Sequence, residues 1–182
     1  GVELHCTSGY LPMQFLCSDS NQRTDEFGGS VQGRVKFAAE CLRAMASAIG
    51  AGRVGLRINP GNRFNDTKDE FPEESHLALL NAVADFDLAY LHMMQAPIDT
   101  IDAFKMGREA FNGALIINDG FSPETANTAV ASDQAEAVSF ARHFVANPDL
   151  VNRISSNVPL ATFQRNTLYT PGAEGYTDYP KA

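Results

Sequence analysis

Alternation and helical spacing take turns along this chain. Over residues 2–5, Val2 and Leu4 fall on one face and Glu3 and His5 on the other. Residues 54–60 repeat the device, with Val54, Leu56 and Ile58 opposing Gly55, Arg57 and Asn59. Further short apolar runs at 88–92, 113–118 and 137–142 end in His92, in Asn118 followed by Asp119 and Gly120, and in Arg142. Helical periodicity fills the gaps. After Gly28 and Gly29, with Ser30 as the expected cap, Val31, Val35, Ala38, Leu42, Met45 and Ile49 make one apolar stripe. Pro72 opens a second helix carrying Leu77, Leu80 and Ala84, and residues 101–111, 123–131 and 148–154 read as three more.

Strands alternating with helices predict parallel pairing through right-handed crossovers, hence an α/β barrel or a doubly wound sheet. The barrel is the better reading. Its chemistry is spread over the ends of successive strands, whereas a doubly wound sheet gathers its ligand at one crevice. No G-x-G-x-x-G follows any of these strands. The 182 residues fall short of the roughly 250 that eight βα units need. The expectation is therefore one domain, residues 1–182, forming the carboxyl-terminal half of a (β/α)8 TIM barrel with 155–182 as a tail, and a separate or cleaved segment supplying the first strands. Unpaired, the first and last strands would be exposed edges prone to association, so self-assembly into a homo-oligomer stays open.

Charge and cysteine usage narrow the partners. A net charge of −8, with fourteen scattered Lys and Arg, argues against a nucleic-acid surface. No run is long enough to span a membrane, so a cytoplasmic protein is the default. Cys6, Cys17 and Cys41 are an odd number at no metal-like spacing and read as free thiols, Cys6 buried as a small apolar residue. No metal site is expected.

Candidate chemistry concentrates near the amino terminus. A strand ending at His5 delivers an imidazole into a loop that carries Tyr10, a donor and acceptor pair suited to proton transfer. Alone, these residues could equally be a structural histidine beside a packed tyrosine. The recurrence of polar groups at strand ends, with Arg57 aimed as His5 is, favours a site. Arg57 could instead pair with Glu3. His92 reads as a hydrogen-bonded structural histidine, His76 as lying on a helix surface, and His143 as having no ligand-like partner.

Glu3-Leu-His5, Gly9-Tyr-Leu11, Gln14-Phe-Leu16, the run Ser20-Asn-Gln-Arg-Thr-Asp-Glu-Phe-Gly-Gly-Ser30, Arg34, Val54-Gly-Leu-Arg57, Ala89-Tyr-Leu-His92, Phe144-Val-Ala-Asn-Pro-Asp-Leu150 and Gly172-Ala-Glu-Gly-Tyr-Thr-Asp-Tyr-Pro180 stand in this order. Together they resemble the old yellow enzyme family of FMN-dependent ene-reductases, in its pentaerythritol tetranitrate reductase-like branch, from the fourth barrel strand onward. The resemblance implies FMN as cofactor, NADPH or NADH as reductant, small-molecule activated alkenes (enones and nitroalkenes, with nitro compounds or nitrate esters as further acceptors) and a complementary amino-terminal half-barrel as partner. It implies that His5 hydrogen-bonds the activating oxygen, that Tyr10 protonates the alkene, and that Arg57 lies along the flavin pyrimidine edge. It allots the flavin phosphate to the backbone of Asp119, Gly120 and Ala141 with the Arg142 side chain, and the substrate wall to Tyr169. Ser8 stands where a second donor, asparagine or histidine, is usual. Asp119 and Ala141 also depart from the glycine-rich pattern, and an aspartate beside a phosphate requires its side chain to turn away. The alternative is a non-catalytic half-barrel that self-associates and binds flavin weakly or not at all. A metal-dependent hydrolase or Schiff-base lyase fits poorly, because no H-x-H and no lysine stands at a strand end.

Overall fold

The computed structural model describes residues 1–182. Five strands, β1 (Val2–Cys6), β2 (Val54–Ile58), β3 (Tyr90–Met94), β4 (Ala114–Asn118) and β5 (Ala137–Ser139), form one wholly parallel sheet in the order β1-β2-β3-β4-β5. Neighbours in sequence are neighbours in space throughout, so the sheet has no switch point of the doubly wound kind, and the α/β reading resolves to consecutive strands of a barrel.

The alternation seen in the sequence sorts the faces. Leu56, Ile58, Leu91, Met93 and Ile117 are fully buried on the outer face under the helices. Gly55 and Arg57, with their partners His5, Tyr90 and His92 in register, take the inner one. The helices are α1 (Leu11–Leu16), α2 (Val31–Ile49), α3 (Pro72–Ala82), α4 (Ala103–Ala110), α5 (Pro123–Ala131), α6 (Arg142–Ala146) and α7 (Leu150–Ser155). No helix is long and apolar enough to cross a membrane.

In α2, Ser30 caps the first turn by accepting from the Gly33 N–H, and Val35, Ala38 and Leu42 are buried as the stripe predicted. Ile49, in the last turn, is 39% exposed and does not extend that stripe. The same helix buries Arg34. Its Nε donates to the Leu16 carbonyl at 3.0 Å, its Nη1 to the Gly29 carbonyl at 3.0 Å and its Nη2 to the Ser75 hydroxyl at 3.2 Å. One guanidinium thus ties α1, the turn before α2, and α3.

Element bounds differ from the sequence reading in several places; β3 runs from Tyr90 to Met94, so His92 lies mid-strand instead of at its end. The fourth helix starts at Ala103, because Asp102 caps it by accepting from the Lys105 N–H. The last strand ends at Ser139. Ala141 already has a helical φ of −105° and ψ of −66°, and Arg142 opens α6 instead of closing β5. The tail from Ser155 folds back onto α7, where the buried Arg153 donates to the carbonyls of Pro159 and Pro180.

His76 is a correction. It lies fully buried within α3, with Nδ1 2.7 Å from the Pro72 carbonyl and Nε2 without a partner. Burial lowers its pKa from 6.5, with the hydrogen bond to the Pro72 carbonyl and the Asp69 charge opposing. Folding therefore favours the neutral ring. The associated stability is fully present above the unfolded value and declines as pH falls below it, because the unfolded chain then binds the extra proton. We expect the urea midpoint to drop on acidification from about pH 7 to about pH 5.5, and His76→Leu to reduce that slope by up to about one proton. An unchanged slope in the variant would assign the acid sensitivity to other groups.

Candidate active site

Parallel register brings the first two rim residues together: His5 pairs with Arg57, and Arg57 with His92, so all three project from one face. The turn after β1 then reverses the chain through Ser8 at φ 56° and Gly9 at φ 72°. A Cβ on Gly9 would lie 2.3 Å from the Phe64 carbonyl oxygen, so only glycine fits there. Gln14 donates to the Gly9 carbonyl at 2.6 Å and Asn65 to the Ser8 carbonyl at 2.8 Å, which locks the turn. Its product is Tyr10, extended at the head of α1, with its ring centroid 5.4 Å from that of His5. The phenol is 56% exposed and available to a ligand. Ser8 keeps its hydroxyl 3.4 Å from Thr7 Oγ1, on the same turn.

Desolvation first and the Arg57 charge second hold His5 below the ordinary histidine value, with Glu3 opposing. At neutral pH the ring is uncharged and carries one N–H to donate. Arg57 sends Nη2 to Asn118 Oδ1 at 2.9 Å, and its buried Nε has no partner. Burial lowers its pKa, with Glu3 and Asp119 opposing, and an arginine remains charged throughout. Glu3 does not pair with it. Glu3 Oε2 instead meets His92 Nδ1 at 2.9 Å, and His92 Nε2 meets the Ser139 hydroxyl at 2.7 Å. His92 is thus a buried crosslink over β1, β3 and β5, the structural role expected of it.

Asn118 is a residue the sequence reading passed over. It faces inward at the end of β4, holds Arg57 through Oδ1, and is itself fixed where its Nδ2 donates to the Ser139 carbonyl at 2.8 Å. The available signal was its position two residues beyond Ile116 on the inward face of a strand.

At the far end of the site, Asp119 and Gly120 both have φ of 78°. The Asp119 side chain does not turn away. Its Oδ1 accepts from Arg142 Nη2 at 2.7 Å and from the Gly120 N–H at 3.1 Å. Ala141 lies in the short link before α6, and the Arg142 guanidinium also stands 5.7 Å from the Phe163 ring. Tyr169 is 99% exposed in the tail and shares no aromatic or hydrogen-bonded contact with His5 or Tyr10. Cys6 is fully buried and its thiol is pushed far up by desolvation, while Cys17 rises to about 12 for the same reason, so neither supplies a thiolate.

The structure therefore places a neutral imidazole donor, a phenol and a partly orphaned guanidinium along one rim, with a second guanidinium and a backbone N–H gripping an anionic oxygen at its end. This donor set can hold a planar anionic group at one end and polarise and protonate a neighbouring molecule at the other.

Residues 1–161 match the profile of the NADH:flavin oxidoreductase / NADH oxidase family. The chain is 39% identical to 12-oxophytodienoate reductase 2 of Arabidopsis thaliana, with 99% of this chain and 50% of that protein aligned. It is 43% identical to a probable flavin mononucleotide-dependent alkene reductase of Leishmania infantum, again over 99% of this chain and 50% of the relative. The solved structure of the old yellow enzyme from Trypanosoma cruzi superposes with a TM-score of 0.93 at 32% identity, covering 100% of this chain and 49% of that one. The chain thus spans about half the length of the relatives it matches.

Proposed function

Because the chain belongs to the NADH:flavin oxidoreductase / NADH oxidase family, we propose that it is the catalytic-rim half of an FMN-dependent ene-reductase, completed by an amino-terminal half-barrel and working in the cytoplasm. Its substrates are enones and nitroalkenes, with nitro compounds or nitrate esters as further acceptors, and its reductant is NADPH or NADH. The observation that carries this reading is the shared register of His5 and Arg57, which gives one rim both a substrate-facing donor and a cofactor-facing cation.

The residues present fit FMN. Arg57 offers a buried, unpartnered Nε and a fixed positive charge to the flavin's pyrimidine edge. The Asp119 carboxylate, an oxyanion, already rests on the Gly120 N–H and Arg142, the donors a phosphate would use. The backbone of Asp119 and Ala141 would complete that end. When bound, the flavin supplies the hydride that adds to the alkene carbon β to the activating group.

The protein's share is positioning and proton supply. Neutral His5 donates to the carbonyl or nitro oxygen, where negative charge grows, and the Ser8 hydroxyl stands three residues on as a shorter second donor. Tyr10 gives its phenolic proton to the other alkene carbon. Asn118 keeps Arg57 directed, and Tyr169 is assigned to the outer wall of the substrate site.

Titrating the purified protein with FMN tests the reading directly. Quenching of flavin fluorescence, together with NAD(P)H-dependent loss of an enone once the complementary half is present, is the expected result. A self-associated protein that never retains flavin, even with its complement, would establish the non-catalytic alternative.

A further inference from the structure

We propose that the Asp119 side chain is a built-in competitor of the flavin phosphate, occupying its donors through one carboxylate oxygen and so setting how tightly the cofactor is held. This rests on the flavin reading above, and concerns affinity rather than the reaction.

Three observations carry it. First, the coincidence of donors: Asp119 Oδ1 takes the Gly120 N–H at 3.1 Å and Arg142 Nη2 at 2.7 Å, so two of the groups assigned to the phosphate are engaged by the chain itself. Second, the contact is exchangeable. The side chains of Arg142 and Asp119 are 47% and 46% exposed, and ion pairs so open to water are weakly held. Third, the backbone lets the carboxylate reach its own loop. Asp119 adopts φ 78°, a left-handed conformation in which an aspartate can hydrogen-bond its neighbouring N–H, as it does to Gly120.

A phosphate arriving at Arg142 carries roughly 1.5 to 2 negative charges and has more acceptor oxygens, so it outcompetes a single carboxylate. Two anions cannot share the site without repulsion, so binding must send the Asp119 side chain into solvent. That displacement opposes cofactor retention and applies only to ligands bearing a phosphate.

The test compares FMN with riboflavin, which lacks the phosphate, by fluorescence quenching on the purified wild-type protein and on Asp119→Asn. The asparagine tolerates the same backbone and removes the charge. The expected result is FMN affinity tightened roughly fivefold or more in the variant, with riboflavin affinity unchanged, and an advantage that shrinks as salt is raised. Because each variant carries its own riboflavin reference, a general folding defect would move both ligands and is separated from a phosphate effect. Equal FMN affinity in the two proteins, or a gain shared by riboflavin, would overturn the competitor role while leaving the flavin reading standing. Failure of both flavins to bind either protein, even with the complementary half present, would overturn the flavin reading and this inference with it.

Discussion

Tyr10→Phe is expected to slow alkene reduction by roughly 100-fold or more while the rate of flavin reduction by NAD(P)H stays near that of the wild type. The expectation follows from what the substitution removes. The ring remains, with its tilted packing 5.4 Å from His5 and its place at the head of α1, and only the exposed hydroxyl is lost. A loss confined to one half-reaction is the mark of a group that acts on the oxidising substrate alone. Stopped-flow measurement of the two half-reactions reads this separately, and an equal loss in both would remove Tyr10 from the proton-donor role. His5 should behave differently. It is held neutral by burial and by Arg57, so its contribution is an N–H toward developing charge rather than a proton given up.

Arg34→Ala is expected to lower folding stability by about 3–5 kcal/mol. The guanidinium is 7% exposed and donates to two backbone carbonyls and one hydroxyl drawn from three separate segments. Its removal leaves the Leu16 and Gly29 carbonyls without that donor and opens a space where α1, α2 and α3 meet. Each hydrogen bond from a charged group contributes about 1.5–3 kcal/mol, and unsatisfied buried acceptors add a desolvation cost. Urea unfolding followed by far-ultraviolet circular dichroism measures the effect. A loss under about 1 kcal/mol would mean that water replaces the guanidinium without penalty. Since Tyr10 is the N-cap of α1, loosening of that helix should also blur the turn that carries it.

The common face of His5 and Arg57 was readable from the sequence, and the reason lies in period two. Once residues 54–60 are taken as a strand, Arg57 must oppose Val54, Leu56 and Ile58, whose burial fixes which face is which. His5 follows by the same rule in β1, and parallel pairing then sets the two side by side. His76 could not be read that way. Helical spacing left it on a surface, whereas in the fold it is fully buried, and a histidine is amphipathic enough to be accepted when its Nδ1 finds the Pro72 carbonyl. The end of β5 was misjudged because an apolar run continues past Ser139, although the backbone has already turned helical at Ala141.

By itself, then, the amino-acid order determined the α/β alternation and the inward faces of the strands that carry His5 and Arg57. These depend on local periodicity and side-chain type, which are written along the chain. Only the tertiary structure decided who pairs with whom. Glu3 went to His92 instead of Arg57, Asn118 took Arg57, and the Asp119 carboxylate turned onto Arg142. Those choices arise between residues as many as 89 positions apart, where strand stagger and turn geometry set distances that no local pattern encodes.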